Sequence, residues 1–190
     1  TARAGLDEGL AALQRRDYAV AVKELRPLAE RGNAEAQYRI GLMYEFGRGY
    51  PVDKAQGIAW FQKSAAQGHT AAQQELGVIY TTGDGVAKDD AKAVEWFRKA
   101  AAAGNPTAQY NLGLMIAKGA GVRQDYAQAL DWFRKAGTQG FTFAQFKVGV
   151  AYEHGAGVAA DPVLAYANYA IAARDGNAEH VAQRDAQAAR

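Results

Sequence analysis

The chain has 190 residues, enough for one ordinary globular domain or one short repeat array. Apolar residues make up 49% and charged residues 22%, which excludes a disordered tail, and no apolar run approaches the roughly 18 residues of a membrane span. With 22 basic against 20 acidic residues the net charge is +2, and the absence of Cys excludes disulfides, thiolate metal sites and a cysteine nucleophile.

Residues 1–32 read as a degenerate helix pair, carried by Gly9, Asp17-Tyr18, Ala21, Leu25 and Leu28. The next stretch is periodic. Blocks 33–68, 69–104, 105–140 and 141–176 align without gaps, each 36 residues long. Ala36, Ala72, Ala108 and Ala144 share a column, Gln37, Gln73, Gln109 and Gln145 the next, and Gly41, Gly77, Gly113 and Gly149 another. A Gly-x-Gly element recurs at Gly47, Gly83, Gly119 and Gly155, and an Asp column runs through Asp17, Asp53, Asp89, Asp125 and Asp161.

Each block predicts two helices. In the first, helix A covers about 34–46, with Ala36, Gln37, Ile40 and Tyr44 on one face. Gly47-Arg48-Gly49 ends it, because glycine tolerates the left-handed conformation after a helix. Asp53 caps helix B, which runs to about Gln67 and stops at Gly68. In the fourth block Pro162 follows Asp161, as suits a first helical position. Gly41 predicts a close helix approach, placed at Ala55 and Ala59, with Trp60 and Phe61 filling space around it. Residues 177–190 read as a C-terminal capping helix. The expected fold is all-α, an α/α superhelix (solenoid) of stacked antiparallel helix pairs that bury apolar faces against their neighbours.

The residues Ala36–Tyr44, Gly47–Gly49, Asp53–Ala55 and Trp60–Gly68 together resemble the Sel-one-like repeat, and the likeness covers 33–176. The resemblance implies a tetratricopeptide-like solenoid acting as a non-catalytic adaptor or scaffold. In bacteria it also implies frequent export. The numbered chain starts at Thr1 rather than Met, and the expected compartment is periplasmic or extracellular, with the cytoplasm as the alternative. The fourth block departs from the pattern, with Asn168-Tyr169 in place of Trp-Phe, which predicts looser packing near the C-terminal cap or a partner contact.

Catalytic signals are weak, and no enzyme is expected. Some relatives of the family carry a β-lactamase or penicillin-binding label, so a β-lactam-related cell-wall enzyme is one alternative. Ser64, the sole serine, is followed by Ala65-Ala66-Gln67 and lacks the Ser-x-x-Lys element of such enzymes. His69, His154 and His180 form no His-x-x-x-His pair, so no metal or cofactor is expected; His154, beside Glu153, is the one placed to touch a ligand. Gly-x-Gly follows a helix rather than a strand, which argues against phosphate binding. Basic residues come in short pairs such as Arg98-Lys99 and Arg134-Lys135, so no nucleic-acid partner is expected.

The expected partner is a protein or peptide, with a glycan or peptidoglycan fragment as the other alternative. By the resemblance, A helices line the concave face. The varying A-helix positions there are Tyr38, Arg39, Gln74, Glu75, Tyr110, Asn111, Phe146 and Lys147, flanked by Glu45, Thr81, Lys118 and Glu153. Aromatic residues mixed with Arg, Asn and Gln suit a peptide-reading surface. The pattern leaves open that Tyr38, Tyr110 and Phe146 fill the core instead.

Overall fold

A computed structural model describes residues 2–189; Thr1 and Arg190, the outermost residues of the two predicted end units, lie outside the described residues. The chain divides into two compact units at Asp89. The first holds α1 (Ala2–Gln14), α2 (Tyr18–Glu30), α3 (Ala34–Glu45), α4 (Lys54–Ala66) and α5 (Thr70–Thr82). The second holds α6 (Asp90–Ala102), α7 (Pro106–Lys118), α8 (Tyr126–Thr138), α9 (Thr142–His154), α10 (Pro162–Ala172), a single 3-10 turn (Ala173–Asp175) and α11 (Ala178–Ala188). Within each unit every helix packs on its sequence neighbours, the α/α solenoid arrangement of stacked antiparallel pairs.

Side-chain caps set the helix starts. Asp17, Asp53 and Asp125 accept the backbone N–H of the third residue on, at 2.9–3.1 Å, and Asp161 accepts those of Val163 and Leu164 with Pro162 in the first turn. Asn33 and Asn105 cap α3 and α7 in the same way. His69 takes the equivalent place on α5, its Nδ1 accepting from Ala72 N at 3.2 Å.

The Gly-x-Gly loop is structural. The backbone N–H of Asp53, Asp125 and Asp161 returns to the carbonyl of Tyr44, Ile116 and Tyr152, folding the loop over the end of the A helix. Its second glycine then lies on the start of the preceding B helix. A Cβ at Gly121 would stand 2.3 Å from the backbone carbon of Asp90, and one at Gly157 would stand 2.4 Å from that of Tyr126.

The helix crossing differs from the sequence expectation. Gly41 meets Gly57 and Phe61, not Ala55 and Ala59; a Cβ there would stand 2.6 Å from the Phe61 ring and 3.2 Å from the Gly57 carbonyl. The face of α4 turned inward carries Gly57, Phe61 and Ser64, leaving Ala55 exposed. The buried face of α3 is Ala36, Gln37, Ile40, Gly41 and Met43. Tyr44, expected there, is half-buried and stacks on Tyr50 with ring centroids 4.2 Å apart. Of each Trp-Phe pair, Phe61, Phe97 and Phe133 are buried, whereas Trp60, Trp96 and Trp132 are half-buried beneath Lys63, Lys99 and Lys135 at 4.1–4.2 Å. The motif lysine is thus a cover for the motif tryptophan.

The fourth block is not loosened. Tyr169 is fully buried in the place of the motif Phe, under Gly149, and its hydroxyl donates to Glu153 at 2.6 Å. Asn168 accepts from Gln145 at 2.5 Å. A Cβ at Gly137, where the earlier blocks have alanine, would stand 2.3 Å from the Gln145 side-chain oxygen. Gly137 and Asn168 therefore act together to give Gln145 a new partner.

Candidate functional site: the A-helix surface and the inter-repeat pockets

In the first unit, four side chains from the start of α3 and of α5 form one polar and aromatic cluster. Glu35 accepts from Arg39 at 2.5 Å through one oxygen and from His69 Nε2 at 2.8 Å through the other. Because His69 Nδ1 already accepts from Ala72, its proton sits on Nε2 and points at Glu35. Burial works to raise the Glu35 carboxyl, but the hydrogen bonds from His69 and Arg39 outweigh it and hold Glu35 below its ordinary range. The Tyr38 ring lies 4.8 Å from that of His69 and 5.9 Å from that of Phe61, with the Arg39 guanidinium 5.3 Å from its centroid. Gln74 and Glu75 are half-buried on α5, and burial, aided by Glu45, pushes the Glu75 carboxyl up.

In the second unit the A-helix aromatics run into a chain of rings. Tyr110 packs on Phe133 at 5.8 Å and on Phe141 at 5.2 Å, and burial raises its hydroxyl. Phe146 is only 8% exposed, held between Tyr169 at 5.3 Å and His180 at 4.8 Å. It belongs to the core of the C-terminal end. His180 itself is buried and bonded to Asp175, a role its lack of a metal-binding partner in the sequence did not announce. Asn111 and Lys147 are half-buried, and the Lys147 ammonium lies 5.7 Å from the Phe146 ring. His154 is exposed.

Within the units, pockets lie at an equivalent place between α1 and α3, between α3 and α5, and between α7 and α9. The one formed by α1, α2 and α3 holds about 320 Å³ and is lined by Leu10, Leu13, Tyr18, Arg39, Met43 and Arg48 among others. The one formed by α3, α4 and α5 holds only about 10 Å³, closed by Glu45, Ile79 and the Lys54–Asp84 ion pair. The one formed by α7, α8 and α9 holds about 190 Å³, with Leu114, Leu130, Phe133, Val150 and Ala151 in its walls and Lys118 and Lys147 beside them. Arg39 and Lys147 occupy the same repeat position as Glu75. Of the sequence stripe, Arg39 and Lys147 line two of these pockets, whereas Arg48, Lys54 and Asp84 lie outside it, and the pockets themselves were not visible in it.

Ser64, the one candidate nucleophile, is buried, and its hydroxyl donates to the Ala34 carbonyl at 2.7 Å. Among the described residues no cluster of three His, Asp or Glu side chains is arranged to hold a metal, and no helix is long and apolar enough to cross a membrane.

Helix pairs repeated in register, with varied side chains on a constant frame, define an α/α repeat protein. The chain belongs to the Sel1 repeat family: the Sel1 repeat matches residues 34–69, 70–105, 106–141 and 142–177. Such repeats are generally non-catalytic scaffolds for protein interaction. The chain is similar to a Sel1 repeat protein from Oxalobacter formigenes, with 32% identity over 90% of this chain and 71% of that one, at a TM-score of 0.86. It is also similar to a protective antigen of uropathogenic Escherichia coli strains with an SLR fold, 42% identical over 84% of this chain at a TM-score of 0.82. There the match spans only 34% of the antigen's length. An immunity protein of Pseudomonas aeruginosa, PA5088, shares the fold at 20% identity and a TM-score of 0.55, over 91% of this chain and 67% of that one. None of the curated proteins matches the chain.

Proposed function

We propose that this protein is a non-catalytic scaffold that binds a protein or peptide partner on its A-helix surface. The observation that carries this reading is the pocket series. The frame of Ala, Gln and Gly columns stays constant, while the charged lining changes from Arg39 and Arg48 in the first pocket to Glu45, Lys54 and Asp84 in the second and Lys118 and Lys147 in the third. A scaffold that reads an extended chain needs such position-by-position variation, and a catalytic site does not. Residence in the periplasm or outside the cell is part of the proposal, resting on the family resemblance, and fractionation of the source cells tests it.

The test of binding is crosslinking and affinity capture from the native source, with the wild type beside Arg39→Glu and Lys147→Glu. A specific protein retained by the wild type and lost from at least one variant is the expected result. Tight binding of a peptidoglycan fragment to the pure chain, with no protein retained, would overturn the reading.

A further inference from the structure

The second unit's pocket has opened relative to its first-unit counterpart. The blocks share one register, so each position has an equivalent 72 residues along. Where α3, α4 and α5 bring Glu45, Ile79 and Asp84 together, α7, α8 and α9 bring Ala117, Ala151 and Ala156. Three long side chains are replaced by methyl groups, while the wall residues Ile58 and Phe61 persist as Leu130 and Phe133. The volume rises from about 10 to about 190 Å³. Cavities of about 150 Å³ with comparable apolar walls accept a benzene ring.

The charge changes with the volume. Glu75 of the first unit is Lys147 in the second, and Lys118 lies on the same pocket. None of the residues lining it is acidic. An apolar hollow with two lysines in its lining and no carboxylate is complementary to an apolar group that carries a neighbouring anion.

We infer that the pocket between α7, α8 and α9 is the anchor subsite for the peptide partner. It takes one aromatic or branched aliphatic side chain from a segment with Asp or Glu beside it. The inference rests on the scaffold reading and deepens it. The two parts of the subsite do different work. Burial of the apolar side chain against Leu114, Leu130, Phe133 and Val150 supplies affinity. Lys118 is exposed and Lys147 half-buried, and an ion pair with water still in reach adds little affinity but selects the sequence and speeds encounter.

The test pans a phage-displayed random peptide library on the full chain. The enriched peptide, fluorescein-labelled, is then titrated by anisotropy against wild type, Ala151→Ile and Lys147→Glu. Ile79 stands at the position equivalent to Ala151, so the isoleucine variant reproduces a filling that the fold already uses. Lys147→Glu restores the first unit's charge on a half-buried position and keeps the test informative if the core variant folds poorly. Enriched peptides should pair a large apolar residue with an acidic neighbour. Ala151→Ile should weaken binding about tenfold or more, and Lys147→Glu should weaken it less while removing the preference for Asp or Glu over Asn or Gln. Peptides that bind both variants as well as wild type overturn the subsite and leave the scaffold reading standing. Enrichment of basic segments also overturns it. If no peptide is enriched on wild type, the scaffold reading falls with it.

Discussion

The edge of the Phe133 ring occupies the space that a Cβ at Gly113 would need: the distance from that position to ring Cε1 is 2.6 Å. Two effects oppose each other at this glycine. Alanine in a helix interior is favoured over glycine by about 1 kcal/mol. Displacing a packed ring costs about 1–3 kcal/mol. The ring is buried, and the added Cβ would meet three of its carbons within 3.1 Å, so the second effect is the larger. Gly113→Ala should lower the melting temperature, and Gly113→Leu should lower it further. Adding Phe133→Leu to Gly113→Ala should recover part of the loss, which a double-mutant cycle measures directly.

The cap at Asp125 makes a second prediction. Its side chain accepts the Gln128 N–H at 2.9 Å at the exposed start of α8. Asp125→Ala should cost roughly 0.5–2 kcal/mol, and Asp125→Asn, which keeps the acceptor oxygen, should cost little. Equal melting losses for the two variants would show that charge, not capping, stabilises this helix start.

The glutamine column makes a third. Gln109 donates to the Ala101 carbonyl at 3.1 Å and accepts from Gln139 at 2.8 Å, tying three consecutive helices together. Gln109→Leu takes this donor from the Ala101 carbonyl, which keeps the Gly104 N–H at 3.0 Å, and should cost about 0.5–1.5 kcal/mol, the net worth of one hydrogen bond. Gln139 is exposed and can satisfy its amide with water, so Gln139→Ala should cost less than about 1 kcal/mol. Denaturant titration of both variants checks the ordering.

Much of this fold was legible because its punctuation is local. Aspartate caps and left-handed glycines act within a few residues of themselves, so their spacing shows helix boundaries directly. The rotation of each helix about its axis was harder to read. Ala55, Gly57 and Ala59 are all small, and only packing decides that Gly57 faces Gly41. Phe146 stood in the partner-facing stripe with a core place left open, because the helix that covers it, carrying His180, lies beyond the last repeat and has no block to align with. The pockets were hidden for a related reason. Ala117, Ala151 and Ala156 look like ordinary helix and loop residues until their equivalents Glu45, Ile79 and Asp84 are seen to fill the same space.

The carboxyl of Glu75 supports a pH-dependent prediction. Burial, its largest influence, pushes it above the ordinary glutamate value, and the charge of Glu45 pushes the same way. Glu45 is itself raised by burial and by Asp84, with Lys54 partly opposing, and one of its oxygens is buried without a hydrogen-bond partner. The unfolded chain holds both groups at ordinary values. Between those values and the raised ones the folded chain binds more protons, so stability falls as pH rises through that window. Glu75→Gln removes the charge and keeps the shape. The variant should melt above wild type near neutral pH. The difference should close as the pH falls below the ordinary glutamate range, where the wild-type side chain is neutral in both states. Melting curves for both proteins across acid and neutral pH provide the check. A difference that persists in acid would mean that the amide gains a hydrogen bond of its own. No difference at neutral pH would mean that water reaches the Glu75 carboxylate in the folded protein.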